Sequence, residues 1–288
     1  TIVVLPEHVA TWLIASNLSS WVYTTSSTQV AMGLMILQSP VSWLAAFSDS
    51  QEQDPLAASI FRMKSPSQAA RYQSIFSDLA KQYSVSIVAG SVVLENPSID
   101  NGQVVSAAGK LSNVSGIFNS KGELVKLIKK HFPIADEQPF TSAAKFEGSD
   151  GIHMNGLYLL PMICADSWFK ESYEPLSNDK ESEVTSLVVV PSFLTGDWNA
   201  AWLGYSGFEN PSDIDLQDIG GLTEGEAWRK YAVASKAKTF GADYALNVFL
   251  QGELWDMKGE GRAIIYHNKY GVSLGPNTKG ARLINLWL

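Results

Sequence analysis

The sequence predicts a layered α/β protein. Three observations carry this expectation: short apolar or alternating runs recur along the 288 residues, helical patterns stand between them, and no repeat of 20 to 50 residues suggests a solenoid or propeller. With 45% hydrophobic residues, a chain of this length can bury roughly three-quarters of its unfolded surface. No Pro/Gly/Ser-rich linker and no charge run divides it, so residues 1–288 are read as one domain.

Residues 2–5, Ile-Val-Val-Leu, read as a strand already in mid-flow at Thr1, which implies that something upstream is missing. Residues 8–64 have no clear period. Within them the apolar stretch 30–47 is interrupted by Gln38, Ser39 and Pro40, so each half falls far short of the ~20 residues of a membrane span. It reads as core or as a partly exposed hairpin. Ser65 and Pro66 supply an N-cap and a first-turn proline for a helix with Tyr72, Ile75, Phe76, Leu79 and Tyr83 on one stripe. A β-rich run follows at 85–93. Residues 114–118, the turn 119–122 and residues 124–128 read as a hairpin, and 157–163 and 187–190 as buried strands. Thr223 and Glu226 stand at capping-box spacing, with Gly241 as the stop of that helix. Strands at 244–249, 263–266 and 283–288 complete the set. The Gly-, Asp- and Trp-rich segment 191–221 has the character of loops that line a site.

A formal net charge of −8 without a Lys/Arg cluster argues against a nucleic-acid partner. Cys164 is the only cysteine, so no intrachain disulfide forms; this fits a reducing compartment, and a cytoplasmic location is expected. There is no dinucleotide fingerprint, no phosphate-loop lysine motif and no H-E-x-x-H, and the four histidines lack ligand spacing. No metal and no cofactor is expected.

Two residues stand where chemistry often sits. Cys164 ends the apolar run 157–163, and Glu7 follows 2–5 and Pro6, a carboxylate placed at the break of a strand where partial burial would make it a proton acceptor. Taken alone, Cys164 reads as a buried inert thiol, and Glu7 reads equally as a base or as a solvated loop acid. Their surroundings change that reading. Leu5-Pro6-Glu7, Lys129-Lys130-His131-Phe132 and Met162-Ile163-Cys164-Ala165-Asp166 resemble, in order, the glutamate, lysine and cysteine elements of the nitrilase (carbon-nitrogen hydrolase) superfamily. Residues 84–90, Phe240 to Asn247 and Gly259-Glu-Gly-Arg262 resemble further stretches of that family, so the likeness runs over nearly the whole chain.

The resemblance implies an α-β-β-α sandwich, usually paired as a homodimer, in which a cysteine, a glutamate and a lysine meet at strand ends. It implies an amidase-like hydrolase of a non-peptide carbon-nitrogen bond acting on a small-molecule amide or nitrile. Cys164 is then the nucleophile, Glu7 the base, and the Lys129 ammonium with the backbone N–H of Ala165 the oxyanion donors; a thioester forms and water resolves it. Glu137, eight residues after Lys129, matches a second glutamate that positions substrate in some members, and Asp166 a frequent acidic position with a structural role. The C-W-E form of true nitrilases is absent, which favours an amide. Family members begin with a strand and helix ahead of the glutamate element, so this chain is expected to lack both. Two alternatives stand beside hydrolysis: transfer of the acyl group to an amine, and a catalytically silent binding module.

Lys129 and Lys130 are adjacent. In an extended segment Val125, Leu127, Lys129 and His131 share one face and Leu124, Lys126, Ile128, Lys130 and Phe132 the other. Lys126 marks the second face as the solvated one, which selects Lys129. Trp168, Phe193, Trp198 and Trp202 are candidates for an apolar pocket, against the commoner role of aromatics as core.

Overall fold

The computed structural model describes residues 1–146, 149–178, 184–207, 210–277 and 280–288. Its backbone contacts divide the chain into two compact units, Thr1–Gly148 with Ser206–Glu209, and Ser149–Tyr205 with Asn210–Leu288.

The first unit opens with β1 (Ile2–Leu5), followed by α1 (Ser20–Thr24), α2 (Thr28–Gln38), α3 (Pro40–Ser48) and the long α4 (Pro55–Tyr83). Strands β2 (Ser86–Ala89), β3 (Val92–Glu95), β4 (Ser98–Asp100), β5 (Gln103–Val105), β6 (Leu111–Phe118) and β7 (Leu124–Lys129) complete it. β1 pairs parallel with β2, while β2, β3 and β7 all pair antiparallel with β6. The core lies between this sheet and α4, where Tyr72, Phe76, Ile87, Val92, Val114 and Phe118 form one buried cluster. The Tyr72 hydroxyl donates to the Ala89 carbonyl at 3.2 Å and accepts from the Gly116 N–H at 2.7 Å, so one side chain ties α4 to two strands. Burial pushes that phenol above its ordinary range.

Several expectations are corrected here. The helix expected to begin at Ser65 starts at Pro55, because Asp54 accepts from the Ala57 N–H as N-cap and Pro55 takes the first turn. Pro66 is therefore interior. Ser65 caps nothing: it is fully buried, and its hydroxyl receives the Glu95 N–H at 2.7 Å. The run 85–93 is two strands, broken at Gly90. The stretch 30–47, by contrast, is the partly exposed hairpin expected of it, made of two helices, α2 and α3, bent by 106° at Ser39. Among the described residues no single helix is long and apolar enough to cross a membrane.

The second unit contains β8 (Ile152–Met154), β9 (Leu157–Pro161), α5 (Glu174–Asn178), β10 (Ser186–Ser192), α6 (Glu224–Tyr231), α7 (Val233–Thr239), β11 (Tyr244–Phe249), β12 (Gly252–Leu254), β13 (Met257–Gly259), β14 (Ile264–His267) and β15 (Gly271–Leu274). Its main sheet runs β15-β14-β11-β10-β9-β8, with β9, β10 and β11 parallel. β10 is almost wholly buried, as expected of a strand covered on both faces. The Thr223–Glu226 capping box is present, but the expected single helix is broken at Ala232 into α6 and α7. Residues 283–288 form no strand: Leu283 and Trp287 are more than four-fifths exposed, and among the described residues no neighbouring strand bonds them. An apolar run needs a partner before it becomes a sheet.

Gly90 is where the fold of the first unit bears most directly on Glu7. Its φ is +58°, and a Cβ there would stand 2.2 Å from the carbonyl oxygen of Pro6. Gly90→Ala should therefore lower stability by about 2–4 kcal/mol, from left-handed strain plus overlap. Gly102→Ala, with φ +76° and no neighbour within 4 Å, should cost only about 1–2 kcal/mol. Urea unfolding of both variants checks the difference.

Candidate active site

In the first unit, four buried polar side chains converge. Glu7 is 1% exposed, Asn113 1%, Lys130 2% and Glu137 5%. Glu7 sits just past β1, where the N–H of His8 donates to Ser91 Oγ at 2.9 Å and that of Ala10 to the Ser91 carbonyl at 3.2 Å. The turn between β2 and β3 thus braces the segment that carries the carboxylate. Lys130 follows β7, its backbone N–H still bonded to the Asn113 carbonyl at 2.9 Å. Glu137 is set by a compact turn in which its N–H donates to the Ile134 carbonyl and its own carbonyl accepts from Phe140 and Thr141.

The Lys130 ammonium donates to Glu7 Oε1 at 2.8 Å and to Glu137 Oε2 at 2.5 Å. Asn113 Nδ2 donates to Glu7 Oε1 at 2.9 Å and to Glu137 Oε1 at 2.8 Å. Nε2 of His8 lies 3.5 Å from Glu137 Oε1, and its Nδ1 lies 2.9 Å from Thr11 Oγ1. Burial alone would push the Glu137 carboxyl up, but the Lys130 charge, the hydrogen bond and charge of His8 and the hydrogen bond from Lys130 outweigh it and hold it below the usual carboxylate range.

The lysine brought to the carboxylates is Lys130, not Lys129. β7 pairs with β6 in regular register from Lys129 to Lys126, then skips, with Phe118 opposite Leu124 and Val125 unopposed. Ile128 and Lys130 are buried, Val125 is exposed and Lys129 is half-exposed. The two faces were grouped correctly but assigned the wrong way round, since a lysine such as Lys126, with its long aliphatic stem, can lie on the inner side and does not mark it as solvated. The step to Glu137 is accordingly seven residues. Asn113 and His8 were not foreseen. Asn113 had a signal, an amide in a run that is otherwise small or apolar, whereas His8 had only its place beside Glu7.

Glu7, His8 and Glu137 offer ligand atoms within 4.8 Å of one another, a spacing that suits a metal ion. The Lys130 ammonium already bonds both carboxylates, and a metal cation beside it would meet like charge. The donor set therefore does not fit a resident metal.

In the second unit, Cys164 lies three residues beyond β9 and is 3% exposed. Its φ of +47° is left-handed, a conformation costing about 1–2 kcal/mol for a residue with a Cβ. It opens a 3-10 turn, Cys164–Trp168, that is buried throughout. Asp166 Oδ2 accepts from the Ile163 N–H at 3.2 Å, Ser167 Oγ donates to the Cys164 carbonyl at 2.7 Å, and the Tyr173 hydroxyl donates to the Ser167 carbonyl at 2.9 Å. Sγ lies 3.7 Å from the Phe193 carbonyl oxygen. Asp166 thus has the structural role expected of it, and Ala165 is buried inside the same turn.

Of the pocket candidates, Trp168 packs against Trp202, Tyr205, Trp228 and Tyr231, and Trp198 packs edge-on to Phe249. These tryptophans are core. Phe193 is half-exposed, with its carbonyl at the thiol.

No family model matches the sequence, and no curated protein matches it. The fold does find relatives. It is similar to the amidase of Nesterenkonia sp. AN1, at 13% identity and TM-score 0.53 over 95% of this chain and 90% of that one; in that structure acrylamide has added to the active-site cysteine. It is also similar to the carbon-nitrogen hydrolase of Helicobacter pylori G27 (14% identity, TM-score 0.51, 82% and 71% covered). A third is Saccharomyces cerevisiae Nit3, a member of branch 10 of the nitrilase superfamily (18%, 0.50, 73% and 62%). The fold is that of the nitrilase superfamily. The expected fold class holds.

The charge arrangement at Lys130 makes a prediction that needs no substrate. Lys130→Met leaves two buried carboxylates without their cation and should lower stability by about 3–5 kcal/mol at pH 7. The bereft carboxylates would then have raised folded-state pKa values, so protonation relieves them and the deficit should shrink as pH falls from 7 toward 5. In the native protein Glu137 works the other way: its depressed pKa gives stability that is present above the ordinary carboxylate range and lost as pH falls through the lower folded value. Lys129→Met should change stability by about 0.5 kcal/mol or less. Urea unfolding at pH 7 and pH 5 distinguishes the two lysines.

Proposed function

We propose that the chain is a carbon-nitrogen hydrolase that cleaves a small non-peptide amide through a thioester on Cys164. The observation that supports it most is the buried Lys130 ammonium held between Glu7 and Glu137 in a chain of this fold. The single thiol, held on a left-handed turn after a parallel strand, supports the nucleophile assignment.

In this reading Glu7 takes the Sγ proton as sulfur attacks the carbonyl carbon, and the tetrahedral oxyanion accepts from the Lys130 ammonium and the Ala165 N–H. Protonated Glu7 then gives its proton to the leaving nitrogen, and ammonia or an amine departs. Water attacks the thioester, losing a proton to Glu7, which returns it to sulfur as the acid leaves. Glu137 keeps Lys130 charged and in place, and its proximity makes it the residue that also orients the substrate amide. Two copies pair as a dimer. A molar mass in solution of one chain at micromolar concentration contradicts the pairing.

Because Cys164 is the only thiol, one equivalent of iodoacetamide should abolish ammonia release from the amide that a screen of amides, nitriles and N-carbamoyl compounds identifies. Full labelling with the rate retained removes the nucleophile assignment. Glu7→Gln should lower turnover by ~10² or more, as for loss of a general base. Lys130→Met should lose roughly 10² to 10³ through an oxyanion donor, while Lys129→Met changes little.

A further inference from the structure

The pair α2 and α3 has an unusual surface. Residues 9–48 contain no Asp, Glu, Lys, Arg or His, in a chain that is 17% charged. Within that run Leu37 is 74% exposed, Val41 82% and Leu44 62%, flanking the 106° bend, and Trp21 is 70% exposed beside them. No residue of α3 is buried. Large side chains are therefore most exposed at the apex of the hairpin, where a water-facing turn would carry polar ones.

Several polar groups of this hairpin are paired within the chain, although the buried Trp43 Nε1 is not. Gln38 Oε1 accepts from the Ser19 N–H at 3.0 Å and its Nε2 donates to the Leu34 carbonyl at 3.4 Å. At the bend the Ser39 N–H donates to the Ile36 carbonyl at 3.0 Å, and the Ser39 carbonyl accepts from the Trp43 N–H at 2.9 Å. Ser48 and Ser50 turn their hydroxyls back onto the Ala45 and Ala46 carbonyls at 2.7 and 2.8 Å. Internal pairing of this kind is what a non-aqueous medium demands of backbone and amide groups.

We propose that the α2–α3 hairpin is a docking surface for an uncharged lipid layer, entered at its Leu37–Val41–Leu44 apex. The absence of charge selects the occupant. A protein partner tolerates charged residues at the rim of its interface, whereas hydrocarbon excludes them, and here they are missing over the whole run. The lipid is zwitterionic rather than anionic, because the hairpin offers no cation and the chain as a whole carries −8. The helices, 11 and 9 residues long, are each too short to span a bilayer of ~20 helical residues, so the hairpin enters one leaflet and returns. This inference is independent of the proposed hydrolase chemistry.

The test is flotation of the full chain with phosphatidylcholine vesicles, compared with the triple variant Leu37→Asp, Val41→Asp, Leu44→Asp. All three positions are exposed, so the variant keeps its fold, checked by circular dichroism and by an unchanged urea midpoint. The native chain should float with the vesicles, the variant should partition about 100-fold or more weakly, and adding phosphatidylglycerol should not strengthen binding. A native chain that stays at the bottom of the gradient overturns the proposal, as does binding that requires anionic lipid. If the triple substitution instead lowers the solution mass of a lipid-free oligomer while vesicle binding is absent, the face is a contact between copies.

Discussion

The Lys130 ammonium, shared by two buried carboxylates, is the interaction on which the first unit's organisation depends. Taking an ion of this kind out of water is expensive, and only close partners with good geometry compensate. Here they come from separate parts of the chain: Glu7 from the end of β1, Asn113 from β6, Lys130 from the end of β7, and Glu137 from the turn after it. None of the four can move alone without stranding a charge or an amide. The local backbone is shaped to hold them, with Gly90 admitting the Pro6 carbonyl and Ser91 receiving the N–H groups of His8 and Ala10.

The second unit is organised around backbone strain rather than around a charge. Three parallel strands end near a common edge, and the chain leaves β9 through a left-handed cysteine into a tight turn. Strain at Cys164 is held by bonds on either side of it: Asp166 back to the Ile163 N–H, Ser167 to the Cys164 carbonyl, and Tyr173 to Ser167. A non-glycine residue in such a conformation persists only where its surroundings over-determine it, and the places where that happens are enriched in function.

Much of the layered pattern was legible because period and punctuation agreed: the 114–128 hairpin, the buried strands at 157–163 and 187–190, and the Thr223 capping box all emerged where residue chemistry placed them. The failures have one cause, which is that local signals compete. Ser65-Pro66 is a good helix start, but Asp54-Pro55 is one too, and the earlier one won because the helix could continue through Pro66. Residues 283–288 are apolar enough for a strand yet pair with none among the described residues. The choice between Lys129 and Lys130 turned on which face was inner, and nothing in a strand with a lysine on each face decides that. The answer lies in β6, whose Asn113 and register specify the inner face. Glu7 and Cys164 stood out because each follows an apolar run at a strand end, and Glu137 came from the family resemblance alone, whereas His8 and Asn113 acquire meaning only from what they touch.

The charge balance of the cluster sets its two glutamates apart. Two carboxylates share one ammonium in a setting closed to water, so the arrangement depends on where the remaining donors go. Glu137 takes the closer Lys130 contact, a bond from Asn113, the Ile134 N–H and the approach of His8, and the Lys130 and His8 interactions hold its carboxyl below the usual range against the cost of burial. Glu7 shares the ammonium and the Asn113 amide with it. Lys130 and Asn113 thus bind the two carboxylates into one unit, and a change at either donor is felt by both.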